Sequence, residues 1–168
     1  MIYEQAELLW AISQKPEQWR PLVLTNGCFD LLHLGHVRYL VAARALGRAL
    51  VVGVNRDATV RLLKGSTRPL VPDWQRGEVL AALRAVDGVV LFGDRTADGL
   101  IRALNPDIYV KGGDYHPETL PEFTTLRELG VRLELIQVEV PTSTSQIVSR
   151  IAARQVAMTD TTEAPKLS

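Results

Sequence analysis

Apolar and polar positions alternate along this chain on two length scales. Short apolar runs lie at Leu22 to Thr25, Ala49 to Val54, Val89 to Phe92, Ile108 to Val110 and Leu133 to Val138. Amphipathic stretches predicted as helices separate or follow them, at about 35–46, 75–85, 96–104, 118–129 and 144–155. Such alternation predicts β-α units and an α/β fold: a doubly wound parallel sheet of about five strands with helices on both faces. Ahead of it, Leu8, Leu9 and Ile12 share one helical face over residues 3–14, and Pro16 and Pro21 then break the pattern. Residues 1–20 therefore read as a leading helix and linker, 21–155 as the main domain, and 156–168 as a disordered tail that is polar from Thr159 and contains Pro165.

Composition narrows the setting. With 168 residues, 46% of them apolar, the chain can bury a core of ordinary size. Nineteen Lys and Arg balance nineteen Asp and Glu, so neither nucleic acid nor a membrane surface is expected as a partner, and anion binding has to be local. The single cysteine, Cys28, has no partner for an internal disulfide. No apolar run of about 18 residues and no signal-peptide pattern is present, which leads to an expected cytoplasmic location.

In open α/β sheets ligands bind beyond the carboxyl ends of the strands. The turn after the first run reads Thr25-Asn26-Gly27-Cys28-Phe29-Asp30-Leu31-Leu32-His33-Leu34-Gly35-His36. Gly27 permits a tight turn, Gly35 lets a ligand approach the main chain, and two histidines open a helix whose free amides favour an anion. Together these describe a phosphate site. Two other readings stand beside it: a pair of histidines that cap or pack the helix, and two of the ligands of a structural zinc, with Cys28 across the turn and His116 remote. Cys28 itself reads as a small packing residue.

Three further clusters follow strands. Lys64-Gly65-Ser66-Thr67-Arg68-Pro69 places two cations on a loop, either a solvated pair or a phosphate clamp, and Arg76 at the next helix start can salt-bridge locally or face phosphate. Lys111-Gly112-Gly113-Asp114-Tyr115 turns sharply at a strand end, as a plain turn or as the far wall of a crevice. Thr142-Ser143-Thr144-Ser145 opens the last helix with more hydroxyls than one N-cap requires, which suits outer phosphates.

Gly27-Cys28-Phe29-Asp30 followed by His33-Leu34-Gly35-His36 resembles the signature of the cytidylyltransferase-like nucleotidyltransferases, whose fold is Rossmann-like. From Val23 to Ile151 the motifs keep that family's order. With Asn26, Val54-Asn55-Arg56-Asp57, Lys64-Gly65, Arg68-Pro69 and Lys111 to Tyr115, the chain is similar to the adenylyltransferase domains of bacterial ADP-heptose synthases. The resemblance implies transfer of AMP from ATP to D-glycero-D-manno-heptose 1-phosphate, giving an ADP-sugar and pyrophosphate. Mg2+ would enter with the triphosphate rather than in a dedicated protein cage, a separate sugar kinase would act upstream, and the chain would be a homodimer. By the same resemblance, His33, His36 and Lys64 are catalytic. Asn26, Gly27, Cys28, Phe29, Asp30, Gly35, Arg76, Lys111, Gly112, Asp114, Ser143, Thr144 and Ser145 bind nucleotide and phosphate, and Asp30, Lys64 and Arg68 meet the acceptor. Ser143-Thr144-Ser145 departs from the usual serine followed by two threonines, yet Ser145 keeps the hydroxyl. CTP with glycerol 3-phosphate, ATP with flavin mononucleotide, and a binding module without catalysis are the alternatives.

Overall fold

A computed structural model describes residues 1–113, 116–138 and 143–160, with side chains as far as 155. Six strands form one parallel sheet, β1 (Ile2–Tyr3), β2 (Leu22–Gly27), β3 (Ala49–Asn55), β4 (Gly88–Phe92), β5 (Ile108–Gly112) and β6 (Arg132–Ile136), in the order β1-β4-β3-β2-β5-β6. The helices are α1 (Gln5–Gln14), α2 (Pro16–Trp19), α3 (Leu34–Arg44), α4 (Asp57–Lys64), α5 (Asp73–Ala81), α6 (Asp98–Leu104), α7 (Phe123–Leu129) and α8 (Thr144–Asp160), with a 3-10 turn at Pro117–Thr119.

Strand side chains alternate between two cores, as a sheet covered on both faces requires. Leu22, Leu24 and Val51 pack with Leu8 and Ile12 of α1, Leu100, Ile101 and Leu104 of α6, and Leu126 of α7. Val23, Leu50, Val52 and Val54 face the other way, onto Tyr39, Leu40 and Ala43 of α3 and Leu80 of α5.

Four expectations change. The sheet has six strands rather than five, because Ile2 and Tyr3 pair with Val89 and Val90 at its edge. Two residues are too short to show alternation, and they lie where the leading helix was expected to begin. The leading segment is also no free linker, since Leu8 is fully buried and α2 fills the stretch before Pro21. Lys64 ends a helix, α4, instead of lying on a loop; of that helix only Thr59 and Val60 are buried, and at eight residues it is short. The chain turns off after Lys64 at Gly65, whose φ of 96° lies in the left-handed region that glycine adopts freely. At the other end α8 extends to Asp160, past the expected limit of 155, while 161–168 lie outside the described residues.

From β2 the chain builds outward through β3 and β4, then returns to the opposite side of β2 with β5 and β6. The winding reverses between β2 and β5, so their carboxyl ends open a crevice there.

Candidate active site

At that crevice β2 ends in Asn26 and Gly27. The turn that follows is held in an uncommon shape, with Phe29 at φ 48° although it carries a buried ring. A Cβ on Gly27 would stand 3.1 Å from that ring, so glycine is what lets Phe29 fold under the turn. The turn delivers His33 as the N-cap of α3, and its Nδ1 accepts from the Gly35 amide at 3.1 Å. With Nδ1 an acceptor, the neutral ring carries its proton on Nε2, which leaves that nitrogen as donor.

His36 lies one turn on, its ring centroid 4.0 Å from that of His33 and 5.4 Å from that of Phe29. Burial pushes the His36 pKa down to about 4, and nearby His33 and Lys64 add to the effect; burial lowers His33 as well. Both rings are therefore neutral N–H donors at neutral pH until an anion arrives, whose charge raises their affinity for protons.

The same depression makes a stability prediction. Between pH 6.5 and about 4 the unfolded chain protonates His36 while the native protein does not, so stability is complete above 6.5 and falls with pH through that window. Urea midpoints measured from pH 7 to 4 should decline, and His36→Gln should flatten part of the decline. Equal slopes in the two proteins would contradict this origin.

Two connected compartments meet at the histidines. The larger, about 780 Å³, is lined by Asn26, Gly27, Cys28, Phe29, Asp30, His33, Gly35, His36, Lys64, Lys111, Gly112, Ser143 and Thr144 among others. The smaller, about 370 Å³, is bounded by His33, His36, Lys64, Arg68 and Ser143 to Ser145. It lies against the N-terminus of α8, whose dipole favours anions.

Several of these side chains also have internal duties. Ser143 and Gln146 cap α8 reciprocally, Oγ accepting the Gln146 amide at 3.2 Å and Oε1 accepting the Ser143 amide at 2.8 Å. Thr144 donates to the Leu31 carbonyl at 3.3 Å and so docks α8 on the β2–α3 turn. Asp30 is buried, with Oδ1 accepting the Leu70 and Val71 amides at 2.7 and 3.1 Å and Oδ2 paired with Arg68 at 3.1 Å. Its carboxylate thus anchors the 65–71 loop and fixes Arg68 at the rim. Cys28 Sγ lies 3.9 Å from Asn55 Oδ1.

The β5 side is different in character. Asn26 Oδ1 accepts from Lys111 Nζ at 2.7 Å and from the Tyr109 hydroxyl at 2.5 Å. Burial lowers the pKa of Lys111, while Glu122 and Cys28 oppose the shift. Asp114, expected here, lies outside the described residues. Sequence reading had not singled out Asn55, Arg95 or Glu122 as site residues, yet all three line the larger compartment. Asn55 ends β3 and Arg95 follows β4, so position at a carboxyl end was a usable signal for both; Glu122 lies far from any strand end, and nothing local marks it.

Arg76 requires a correction. It was expected to face phosphate, but it lines neither compartment and is 2% exposed. Nε donates to the Val71 carbonyl at 2.9 Å, Nη1 to that of Cys28, and Nη2 to that of Asn55 at 2.7 Å and to Asp57 Oδ1 at 2.8 Å. The guanidinium clamps the floor of the site from below.

Over residues 24–166 the chain matches the family model described as cytidylyltransferase-like, and it belongs to that family. The protein is a nucleotidyltransferase, the enzyme class that this fold and these motifs define. It is 50% identical over 135 residues to the bifunctional protein HldE of Syntrophotalea carbinolica, covering 80% of this chain and 28% of that protein. Against the bifunctional protein HldE of Citrifermentans bemidjiense the identity is 49% over 144 residues, 86% of this chain and 30% of the other. The chain thus spans less than a third of the length of these relatives. Among solved structures, the lipopolysaccharide core biosynthesis protein from Thermoplasma volcanium superposes with a TM-score of 0.59 at 29% identity, over 71% of this chain and 97% of that one. Pantothenate synthetase from Thermus thermophilus shares the fold alone, with a TM-score of 0.56 at 16% identity over 82% of this chain and 60% of its own.

Among the described residues no three His, Cys, Asp or Glu side chains stand close enough together to hold a metal ion. Nor is any described helix long and apolar enough to cross a membrane.

Proposed function

We propose that the protein transfers AMP from ATP to a sugar 1-phosphate, most specifically D-glycero-D-manno-heptose 1-phosphate, releasing pyrophosphate and an ADP-sugar. The observation that carries the reaction is the meeting of His33, His36 and Lys64 with the α8 N-terminus around one small compartment. The names of the HldE relatives and of the lipopolysaccharide core biosynthesis protein support the choice of acceptor.

In this reading an oxygen of the acceptor phosphate attacks the α-phosphorus, a new P–O bond forms, and the bond from that phosphorus to the bridging oxygen of the β-phosphate breaks. Pyrophosphate leaves with the bonding pair. Nothing covalent is asked of the protein, which positions the phosphates and neutralises the developing charge. His33 Nε2–H and the His36 ring donate toward the α-phosphate, Lys64 balances charge between triphosphate and acceptor, and Arg68 with Ser143 to Ser145 holds the outer phosphates. Asn26, Gly27, Cys28, Phe29 and Gly35 shape the nucleotide wall, Asp30 acts through Arg68, and Lys111 with Gly112 closes the β5 side. Magnesium accompanies the triphosphate, since this ion is often held mainly by substrate phosphates. A kinase must supply the acceptor phosphate, the chain works as a homodimer, and ATP dependence fits a cytoplasmic setting.

Purified protein with ATP and the heptose 1-phosphate should release pyrophosphate, and CTP with glycerol 3-phosphate should not. Release only with the second pair would replace the substrates and keep the chemistry. Tight ATP binding with no release for any acceptor would favour a binding module.

A further inference from the structure

The larger compartment contains a charged group with no part in the phosphate chemistry above. Glu122, 3% exposed, lines it from the start of α7. Its Oε1 accepts the Ala97 amide at 3.1 Å, whereas Oε2 is buried without a hydrogen-bond partner among the described residues. The neighbouring Tyr109 hydroxyl donates to Asn26 Oδ1 and also interacts with Glu122. Leaving a buried carboxylate oxygen short of donors is costly, so among the described residues this corner has room for a further donor. Phosphate cannot supply it, because a carboxylate repels phosphate. The part of a ligand that meets Glu122 must carry hydrogen-bond donors and no negative charge.

Beside it stands the complementary group. Lys111 Nζ lies 3.9 Å from Glu122 Oε1, beyond direct hydrogen-bonding distance, and is held at 2.7 Å by Asn26 Oδ1. An ammonium and a carboxylate side by side suit two adjacent hydroxyls, since each hydroxyl both donates and accepts. The compartment, about 780 Å³, has room for a sugar ring.

We infer that Glu122 and Lys111 form a subsite for a vicinal diol of a sugar ring, with Glu122 a specificity-determining residue. The inference rests on the nucleotidyl-transfer reading of the cleft. Two sugars enter that reaction, the ribose of the nucleotide and the acceptor, and the chemistry on the protein side is the same for both.

The test is equilibrium titration of wild type and Glu122→Gln, a variant that keeps the shape and the Ala97 contact. One arm compares ATP with 2′-deoxy-ATP and 3′-deoxy-ATP. The other, in the presence of a non-hydrolysable ATP analogue, compares the heptose 1-phosphate with ring-deoxy analogues. In one arm wild type should prefer the diol ligand by roughly 10- to 100-fold, the scale of a hydrogen bond to a charged group. Glu122→Gln should bind the diol ligand more weakly and lose most of that preference. The arm that responds identifies the sugar. No preference by wild type in either arm, or a preference fully retained in the variant, overturns the inference. Thermal unfolding verifies the fold, and Glu122→Asp replaces the variant if Gln fails to fold. Pyrophosphate release by wild type is scored separately: its failure counts against the reaction, while the two binding arms, which need no turnover, still decide the subsite.

Discussion

Replacing His36 with alanine should cut turnover by about two to three orders of magnitude and leave the fold intact, the scale seen when one preorganised donor to a transition state is lost. His36 lines the smaller compartment beside His33, Lys64 and Arg68. Its ring packs at a tilt against those of His33 and Phe29, and its Nδ1 is buried without a hydrogen-bond partner among the described residues. Burial holds the ring neutral in the empty site, so charge entering the site meets a polarisable N–H donor that gains a proton more readily as negative charge builds nearby. Steady-state pyrophosphate release, with circular dichroism and thermal unfolding as controls, measures the effect. Because the lost interaction belongs to the transition state, kcat should fall together with kcat/KM while ATP binding changes little. Near-normal turnover in a folded variant would remove His36 from the mechanism.

The second large effect is on stability. Arg76→Met should destabilise the protein by about 3–5 kcal/mol, the range for removing one member of a buried ion pair. Methionine keeps much of the volume but strips donors from three carbonyls and from Asp57, which sit on separate segments: the β2–α3 turn, the end of β3, the start of α4 and the approach to α5. Arg76→Lys should recover only part of the loss, because an ammonium cannot span the positions that a planar fork reaches. Urea unfolding gives the numbers. If Arg76→Met instead kept full stability and lost only ATP affinity, the guanidinium would belong to the ligand after all. Activity should suffer too, but through a collapsed floor beneath Cys28 and Asn55.

These two residues show how the two sources of information divide. His33 and His36 were legible because everything that defines them is local: a strand end, a glycine-bearing turn and a helix start within a dozen residues. Arg76 was misread because its partners lie 5 to 48 residues away in sequence, and no pattern near position 76 reveals that its donors are already used. Lys64 and Arg68 were recognised as cations beside the crevice, but that Asp30 ties down Arg68 depends on a contact 38 residues apart. Ser143 and Thr144 combine both readings, capping and docking α8 while facing the smaller compartment.

The sequence by itself determined the α/β class, the five longer strands, most of the helices and the strand end at which the crevice opens, because periodicity and turn residues act over a few neighbours. Tertiary structure decided the rest. It added the edge strand β1, which exists only because β4 offers it hydrogen bonds, and the helix α4, whose buried side is two residues wide. It turned Arg76 from ligand to scaffold, and it folded Glu122, eleven residues on at the start of α7, back to the side of Lys111. The physical reason is common to all four: each depends on which groups meet once the sheet is wound, and burial, pairing and dielectric are properties of that meeting rather than of any stretch of chain.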